Sequence, residues 1–420
     1  MNIFDDLKFR GLVYQVTDEK RLREKLKRER IVLYCGFDPT SPSFHVGNLL
    51  LILTLRRFQI FGHRPIALIG GATGLIGDPS GKTKERILNP KEKIIEWKEK
   101  LRLQLEKFLD FQAKENPAKI LDNSQWLLDL SLIDFLRDFG KHFQLSQMLS
   151  KESVKKRIKT GGISFCEFSY MVLQAIDFLE LKKRENCELQ IGGSDQWGNI
   201  VSGIDLIKKI LGREVFGLTL PLILTKSGKK FGKTEKGAIF LDKKFTNPYQ
   251  FYQFWINTED KDVIQFLKYF TFLKKEEILN LEEKLRREPK RKEAQRVLAR
   301  EVVKIVHGEY EAKRVEKISQ ILFYDRVNEL KEKEIEEAFF NVPSVEIKIK
   351  DQISILELLV IAKVSRSKTE AKNLINQKGI SVNSELILNP NKSLSLKEAL
   401  YQKYFIIKRG KRSYYLVKLI

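Results

Sequence analysis

Residues 31–48 read IVLYCGFDPTSPSFHVGN, and residues 65–71 read PIALIGG. The run IVLYCG is apolar without alternation, the pattern of a strand buried on both faces. Asp38, Pro39 and Thr40 follow as a turn. Ser43 is placed to cap a helix whose apolar face runs from Leu49 to Phe61, and Gly62 is placed to end it. PIALIGG then reads as a second buried strand. Strand, helix and strand in this order make a βαβ unit, which implies an α/β fold with a Rossmann-like, doubly wound parallel sheet.

Outward from this unit, residues 85–183 carry mostly helical periodicity, and CELQIGG at 187–193 reads as a further strand. The expected domains are a catalytic one at 1–245 with the helical insertion at 85–183, an α-helical one at 246–325, a linker at 326–349, and a small α+β one at 350–420. The last carries a helix (ISILELLVIA), a basic helix (SRSKTEAKNLINQK), Gly379 and short strands ending in SYYLVKLI. A chain of 420 residues suits two or three cores.

Composition narrows the function. The 77 Lys and Arg against 55 Asp and Glu give a net charge of +22, which suits a polyanionic partner, nucleic acid before an anionic membrane. An apolar run such as Leu49–Leu53 is far short of the roughly 20 residues of a membrane span. Nor does the N-terminus, with Asp5, Asp6 and Lys8, read as a signal peptide. Cys35, Cys166 and Cys187 form no CxxC pair and the four histidines are scattered, so neither a disulfide framework nor a protein-held metal is expected, and a cytoplasmic location fits.

Parallel sheets bind ligands beyond the carboxyl ends of their strands, where helix N-termini point. Gly36 and Gly47 would let a nucleotide approach the backbone there. His45 is either a phosphate donor or a capping residue. Asp38 and Thr40 are either ligand contacts or turn formers. Far downstream, KFGKT (Lys230, Phe231, Gly232, Lys233, Thr234) supplies a basic loop. Alone it is what a solvated turn looks like.

Six stretches in family order, YCGFDPT, HVGN, GLIGDPSGK, FSYMVLQAIDF, QIGGSDQWGN and KFGKT, make the chain resemble the bacterial tyrosyl-tRNA synthetases over essentially its whole length. HVGN and KFGKT correspond to the HIGH and KMSKS motifs of class I synthetases, with Asn48 where the general motif has a second histidine. The resemblance implies activation of tyrosine with ATP (and Mg2+), then transfer to the terminal adenosine of tRNA(Tyr), by a homodimer whose interface lies in the helical insertion. It implies that Lys230, Lys233 and Thr234 grip the leaving pyrophosphate, joined by Lys82 and Arg86, with His45, Asn48 and Thr40 on the phosphates and ribose. Tyr34 and Asp177 would bind the phenol hydroxyl. Tyr170, Gln174 and Asp78 would take the ammonium, Gln196 the carboxylate, and Gly193 and Asp195 the ribose. Asp38 would touch the ammonium or the adenosine.

These residue types suit the chemistry. A carboxylate is already ionised at neutral pH, so adenylate formation needs positioning and charge neutralisation rather than a general base. Tyr170, Gln174 and Asp177 fall on one helix face. The tail resembles an S4 RNA-binding domain, with Arg366, Lys368, Lys372 and Lys378 as candidates for RNA phosphate. Lys155, Lys156, Arg157 and Lys159 are candidates for the tRNA acceptor end, or a plain exposed helix. Tryptophanyl-tRNA synthetase is the nearest rival, but Tyr34 and Asp177 suit a phenol better than an indole. A non-catalytic RNA-binding derivative is disfavoured because His45 and the lysines are present. A small nucleotidylyltransferase is disfavoured by the helical region and the tail.

Overall fold

The structure is a computed structural model describing residues 2–80, 88–223, 237–410 and 413–420, with Lys233 and Thr234, and within 88–223 Glu152, Ser153, Lys156 and Thr160, described through their backbone alone. The chain divides into two compact units, Met1–Thr246 with Asn257–Val306, and Asn247–Ile256 with His307–Ile420.

The first unit is built on six strands, β1 (Gln15–Val16), β2 (Val32–Phe37), β3 (Arg64–Ile69), β4 (Lys119–Asp122), β5 (Cys187–Gly193) and β6 (Phe216–Leu220). Their order is β1-β6-β5-β2-β3-β4. β1 runs antiparallel to β6 and the other pairs are parallel. From β2 the chain builds outward through β3 and β4 on one side and through β5 and β6 on the other. The order therefore reverses between β2 and β5, and a ligand crevice belongs at their carboxyl ends. Tyr34 pairs with Ile66 on one side and Gln190 on the other. Leu33, Ile66, Leu68, Leu189 and Ile191 are buried, each contributing about 1.5–3 kcal/mol by leaving water.

The connection from β2 to β3 is the Val46–Ile60 helix. Its N-cap is His45, not Ser43 as the sequence suggested. His45 Nδ1 accepts the Gly47 N–H at 3.0 Å, and Asn48 Oδ1 accepts the His45 N–H at 3.2 Å. Ser43 instead lies 3.1 Å from Gln104 Oε1 and accepts the Asp242 N–H at 3.1 Å, holding the preceding loop. Gly62 ends the helix with φ of +92°, a conformation that disfavours any Cβ.

The stretch expected to be helical contains the helices Lys91–Leu105, Glu152–Thr160 and Phe165–Glu185, but β4 interrupts it. KILD is four residues long with polar ends and carries no periodic signal. Arg157 is buried in an ion pair with Glu167 at 2.5 Å, so it is no candidate for tRNA; Lys155 and Lys159 are exposed.

Residues 246–325 do not form one body. The helices Asp260–Phe270 and Lys275–Arg287 belong to the first unit, whereas Pro248–Ile256 and Glu309–Phe323 belong to the second. In the second unit a five-stranded sheet runs in the order Glu385–Leu386, Ile380–Val382, Tyr404–Arg409, Ser413–Leu419, Ser344–Ile347. The stretch read as linker thus supplies the helix Glu332–Ala338 and an edge strand. The helices Ile355–Ile361 and Lys368–Asn376 share a core with that sheet through Leu358, Leu359, Ala371, Ile375, Phe405 and Val417. Arg366, Lys368, Lys372 and Lys378 are all exposed.

Candidate active site

A cavity of about 420 Å³ opens at the carboxyl ends of β2 and β5. Its lining includes Tyr34, Gly36, Asp38, Thr40, His45, Gly47, Asn48, Asp78, Tyr170, Gln174, Asp177, Gly193, Asp195 and Gln196. The structure thus gathers every candidate for the tyrosine and ATP sites whose side chain it describes. Lys82, Arg86 and Lys230 lie outside the described residues, as do the side chains of Lys233 and Thr234. The backbone of Lys233–Thr234 pairs with Gly237–Ala238, and Ala238 lines the cavity. The chain just beyond is tied to the start of the Val46–Ile60 helix, by Val46 N–H to Ile239 O at 3.0 Å and Leu241 N–H to Phe44 O at 2.8 Å.

One end of the cavity is built around Asp177. Its carboxylate accepts from Trp126 Nε1 at 2.8 Å and from Asn123 Nδ2 at 3.0 Å. Burial nevertheless outweighs these two donors and pushes the carboxyl up to about 8. Tyr34 Oη is buried with no hydrogen-bond partner, and its ring packs on Phe178 at 5.3 Å. Burial also raises the Tyr34 phenol well above its usual range, so Tyr34 keeps its proton as a donor. Gln190 Oε1, which also lines the cavity, is a second buried oxygen without a partner. An orphaned buried polar atom is costly, so two of them facing one cavity mark where a ligand's polar group belongs.

The raised Asp177 carboxyl has a stability consequence. The folded chain holds this proton well above the usual carboxylate range while the unfolded chain releases it. Asp177 therefore favours the fold fully below about pH 4, and the contribution is lost as pH rises through about 8. Without ligand, wild-type protein should lose more melting temperature between pH 6 and pH 9 than Asp177→Asn does. Parallel pH slopes for the two proteins would show that this carboxylate is ionised throughout.

The other end is a chain of polar contacts. Tyr170 donates to Asp38 Oδ2 at 2.7 Å, which leaves the Tyr170 oxygen as an acceptor. Thr73 donates to Asp38 Oδ1 at 2.7 Å. Gln196 Nε2 donates to Asp78 Oδ2 at 2.6 Å, and Asn199 Nδ2 bridges Gln174 Oε1 and Gln196 Oε1 at 3.0 and 3.2 Å. Burial raises Asp78 from its ordinary value. Asp38, Asp78 and Asp195, beside the proton-holding Asp177, thus converge on a lining that holds no lysine or arginine among the described residues. That field attracts an ammonium group, and phosphates there need cations from elsewhere.

At the helix N-terminus, acceptance at His45 Nδ1 fixes the ring proton on Nε2, the tautomer that donates to an anion. Gly47 is required by this packing: a Cβ would lie 2.7 Å from the His45 ring. Asn123, Thr73, Gln190 and Asn199 were not singled out in the sequence. Of these, Gln190 alone carried a signal, as a polar residue in the middle of an apolar strand.

Comparison with known proteins agrees with this geometry. The family described as tRNA synthetases class I (W and Y) matches residues 26–324, and the tyrosine–tRNA ligase SYY-like C-terminal domain matches residues 334–417. The chain is 54% identical over 419 residues to the tyrosine–tRNA ligase of Geobacillus stearothermophilus, covering 100% of both. It is 51% identical to tyrosine–tRNA ligase 1 of Bacillus subtilis, covering 99% of both. Among solved structures, a C-terminally truncated mitochondrial tyrosyl-tRNA synthetase from Aspergillus nidulans superposes with a TM-score of 0.71 at 32% identity, covering 77% of this chain and 94% of that one. A tryptophanyl-tRNA synthetase from Encephalitozoon cuniculi, at 16% identity and a TM-score of 0.52, shares the fold. The chain belongs to the tyrosine–tRNA ligases, the class I aminoacyl-tRNA synthetases that activate tyrosine with ATP and pass it to tRNA.

Proposed function

We propose that the cavity seats tyrosine with its phenol hydroxyl between Tyr34 and Asp177 and its ammonium among Tyr170, Gln174 and Asp78. The observation that carries this reading is the unpartnered, buried Tyr34 Oη in the same cavity as Asp177. A phenol accepts from Tyr34 and donates to Asp177, and this third donor draws the carboxyl toward its charged form. Gln196 approaches the substrate carboxylate, and Gly36, Gly193 and Asp195 lie along the ribose. Asn48 spends Oδ1 on the His45 N–H, so its NH2 is the group for a ribose oxygen. Tyrosine-dependent exchange of pyrophosphate into ATP, with tryptophan and phenylalanine as controls, tests the assignment. Exchange supported equally by tryptophan would sink it.

ATP, carrying its Mg2+ as part of the substrate, lies at the N-terminus of the Val46–Ile60 helix, with His45 and Thr40 on the phosphates. The acidic lining makes added cations necessary, and Lys82, Arg86, Lys230 and Lys233, with the Thr234 hydroxyl, are the side chains for that role. Lys230→Ala or Lys233→Ala should slow adenylate formation about a hundredfold or more, while the tyrosine dissociation constant stays nearly unchanged. Tyrosine affinity falling in step with the rate would make the loop a structural support instead.

The active form is proposed to be a homodimer working in the cytoplasm. The helical insertion leaves Leu132, Ile133, Leu145 and Phe165 between 66% and 75% exposed, a concentration of apolar side chains that a second copy would cover. Sedimentation should give twice the 49.1 kDa chain mass, and Phe165→Asp should shift the protein toward monomer. A wild-type monomer at micromolar concentration would overturn the dimer. No helix among the described residues is long and apolar enough to cross a membrane.

A further inference from the structure

Arg57 lies in the last turns of the Val46–Ile60 helix, at the opposite end from His45, and is 2% exposed. Its Nη2 donates to the carbonyls of Tyr269 at 3.0 Å and Thr271 at 2.6 Å, at the C-terminus of the Asp260–Phe270 helix. Its guanidinium stands 4.8 Å from the centre of the Phe272 ring. Arg10 converges on the same helix end. It pairs with Asp6 through Nε at 2.9 and 3.0 Å, and reaches the carbonyls of Lys268, Thr271 and Leu273 at 3.1, 3.2 and 2.8 Å. Asp6 pairs with Arg10, so for Arg57 the compensation comes mainly from the carbonyls at the negative end of the helix dipole.

Stability alone gives a poor account of Arg57. Its Nε–H is buried without a partner. Burial and the neighbouring Arg10 lower its pKa to about 9. A buried charge is weak evidence for stability, because desolvating it offsets much of what its hydrogen bonds contribute. What the guanidinium adds is direction, since a planar fork bonded to two fixed carbonyls sets where its own helix sits. A 15-residue helix is a rod of roughly 22 Å, so a fixed C-terminal end fixes the N-terminal end. That end contributes Gly47, Asn48, Leu50 and Leu51 to the cavity, next to its cap His45.

We propose that Arg57 is a positioning residue, which holds the Val46–Ile60 helix at the axial height where its N-terminus meets ATP. The proposal rests on the reading of that N-terminus as the ATP site. The groups assigned to tyrosine come from β2, the Phe165–Glu185 helix, and the segments around Asp78 and Gln196. Loss of Arg57 should therefore separate the two substrates. In the full chain, Arg57→Met should raise the KM for ATP and lower kcat in pyrophosphate exchange by roughly tenfold in kcat/KM, the scale of a small misplacement. The tyrosine dissociation constant, measured by equilibrium dialysis without ATP, should stay within about twofold. Arg57→Lys keeps the charge and one carbonyl bond, so its ATP defect should be a few-fold only. If the methionine protein does not fold, the lysine protein carries the test alone. Wild-type ATP dependence in either folded variant, a lysine variant no better than methionine, or tyrosine affinity falling in proportion each overturn the proposal. Gly47→Ala, which pushes on the His45 ring, separates this from the site reading. If it raises the KM for ATP while Arg57→Met does not, only the positioning role fails. If neither does, the ATP assignment fails.

Discussion

A chain that ends at Tyr324 will form tyrosyl-adenylate at close to the full-length rate and charge tRNA about a hundredfold more slowly at limiting tRNA. Among the described residues the cavity lining ends at Ala238, so the first chemical step keeps its machinery. The cut also keeps the packing of Glu309–Phe323 on Pro248–Ile256, where Gln253 Nε2 donates to Ser319 Oγ at 3.2 Å. Pro343 is a poorer place to stop. The helix before it bonds the tail through Glu336 and Tyr404 Oη at 2.8 Å, and Pro343 O itself accepts the Leu416 N–H at 3.0 Å. What the cut removes is a surface carrying Arg366, Lys368, Lys372 and Lys378, all exposed. If each holds one phosphate at about 0.7 kcal/mol, four of them account for the hundredfold. The salt dependence of tRNA binding should then flatten, by about one unit of log–log slope per lost contact. Charging by the truncated chain at more than half the full rate would remove the tail from tRNA recognition.

The fold was legible where burial on both faces leaves an unbroken apolar run. β2 and β3 were visible for that reason, and β5 was legible at about 187–193 although Glu188 and Gln190 break its apolar run. β4 was not, because four residues with a lysine and an aspartate at the ends carry no pattern of their own. Only the neighbouring β3 makes them a strand. The division of the helical region was equally hidden. Asp260–Phe270 and Glu309–Phe323 are both amphipathic, and nothing in either says which unit its apolar face will join. The deciding contact for the former, Arg57 to Thr271, spans more than two hundred residues.

The site divides in the same way. The side chains proposed to touch substrate sit in motifs, and the fold gathers the described ones around one cavity. Their supports do not announce themselves. Asn123 in NSQW looks like a turn residue, yet it holds Asp177 at 3.0 Å and Thr73 at 2.9 Å. Asn199 lies in a helix that reads as ordinary, yet it orients two glutamines. His45 had two readings, and the structure shows the cap, while the phosphate contact belongs to the proposed function. It caps the helix through Nδ1, and that bond places its ring proton on Nε2.

Of the supports, Asn123 and Trp126 make the second large prediction calculable. Asp177→Asn should cut the preference for tyrosine over phenylalanine, taken as the ratio of their kcat/KM values in pyrophosphate exchange, by roughly ten- to hundredfold. The wild-type carboxylate accepts from Trp126 and Asn123, and in the proposed pose it also accepts from the substrate hydroxyl. An asparagine offers one acceptor oxygen, and its NH2 must face one of those three donors. The phenol thus loses a charge-assisted bond, worth about 1.5–3 kcal/mol. Phenylalanine makes no such bond and loses little, so the change falls on the ratio and not on both substrates alike. Tyr34→Phe removes a neutral donor at the same hydroxyl and should move the ratio less, by about 0.5–1.5 kcal/mol. The order of the two effects matters as much as their size. A larger effect at Tyr34 would mean that Asp177 stays protonated in the complex, with its carboxyl still near the value of about 8 that burial gives it in the empty cavity. An unchanged ratio in both variants would mean that the hydroxyl is read elsewhere in the cavity, with Gln190 Oε1 the remaining buried oxygen without a partner.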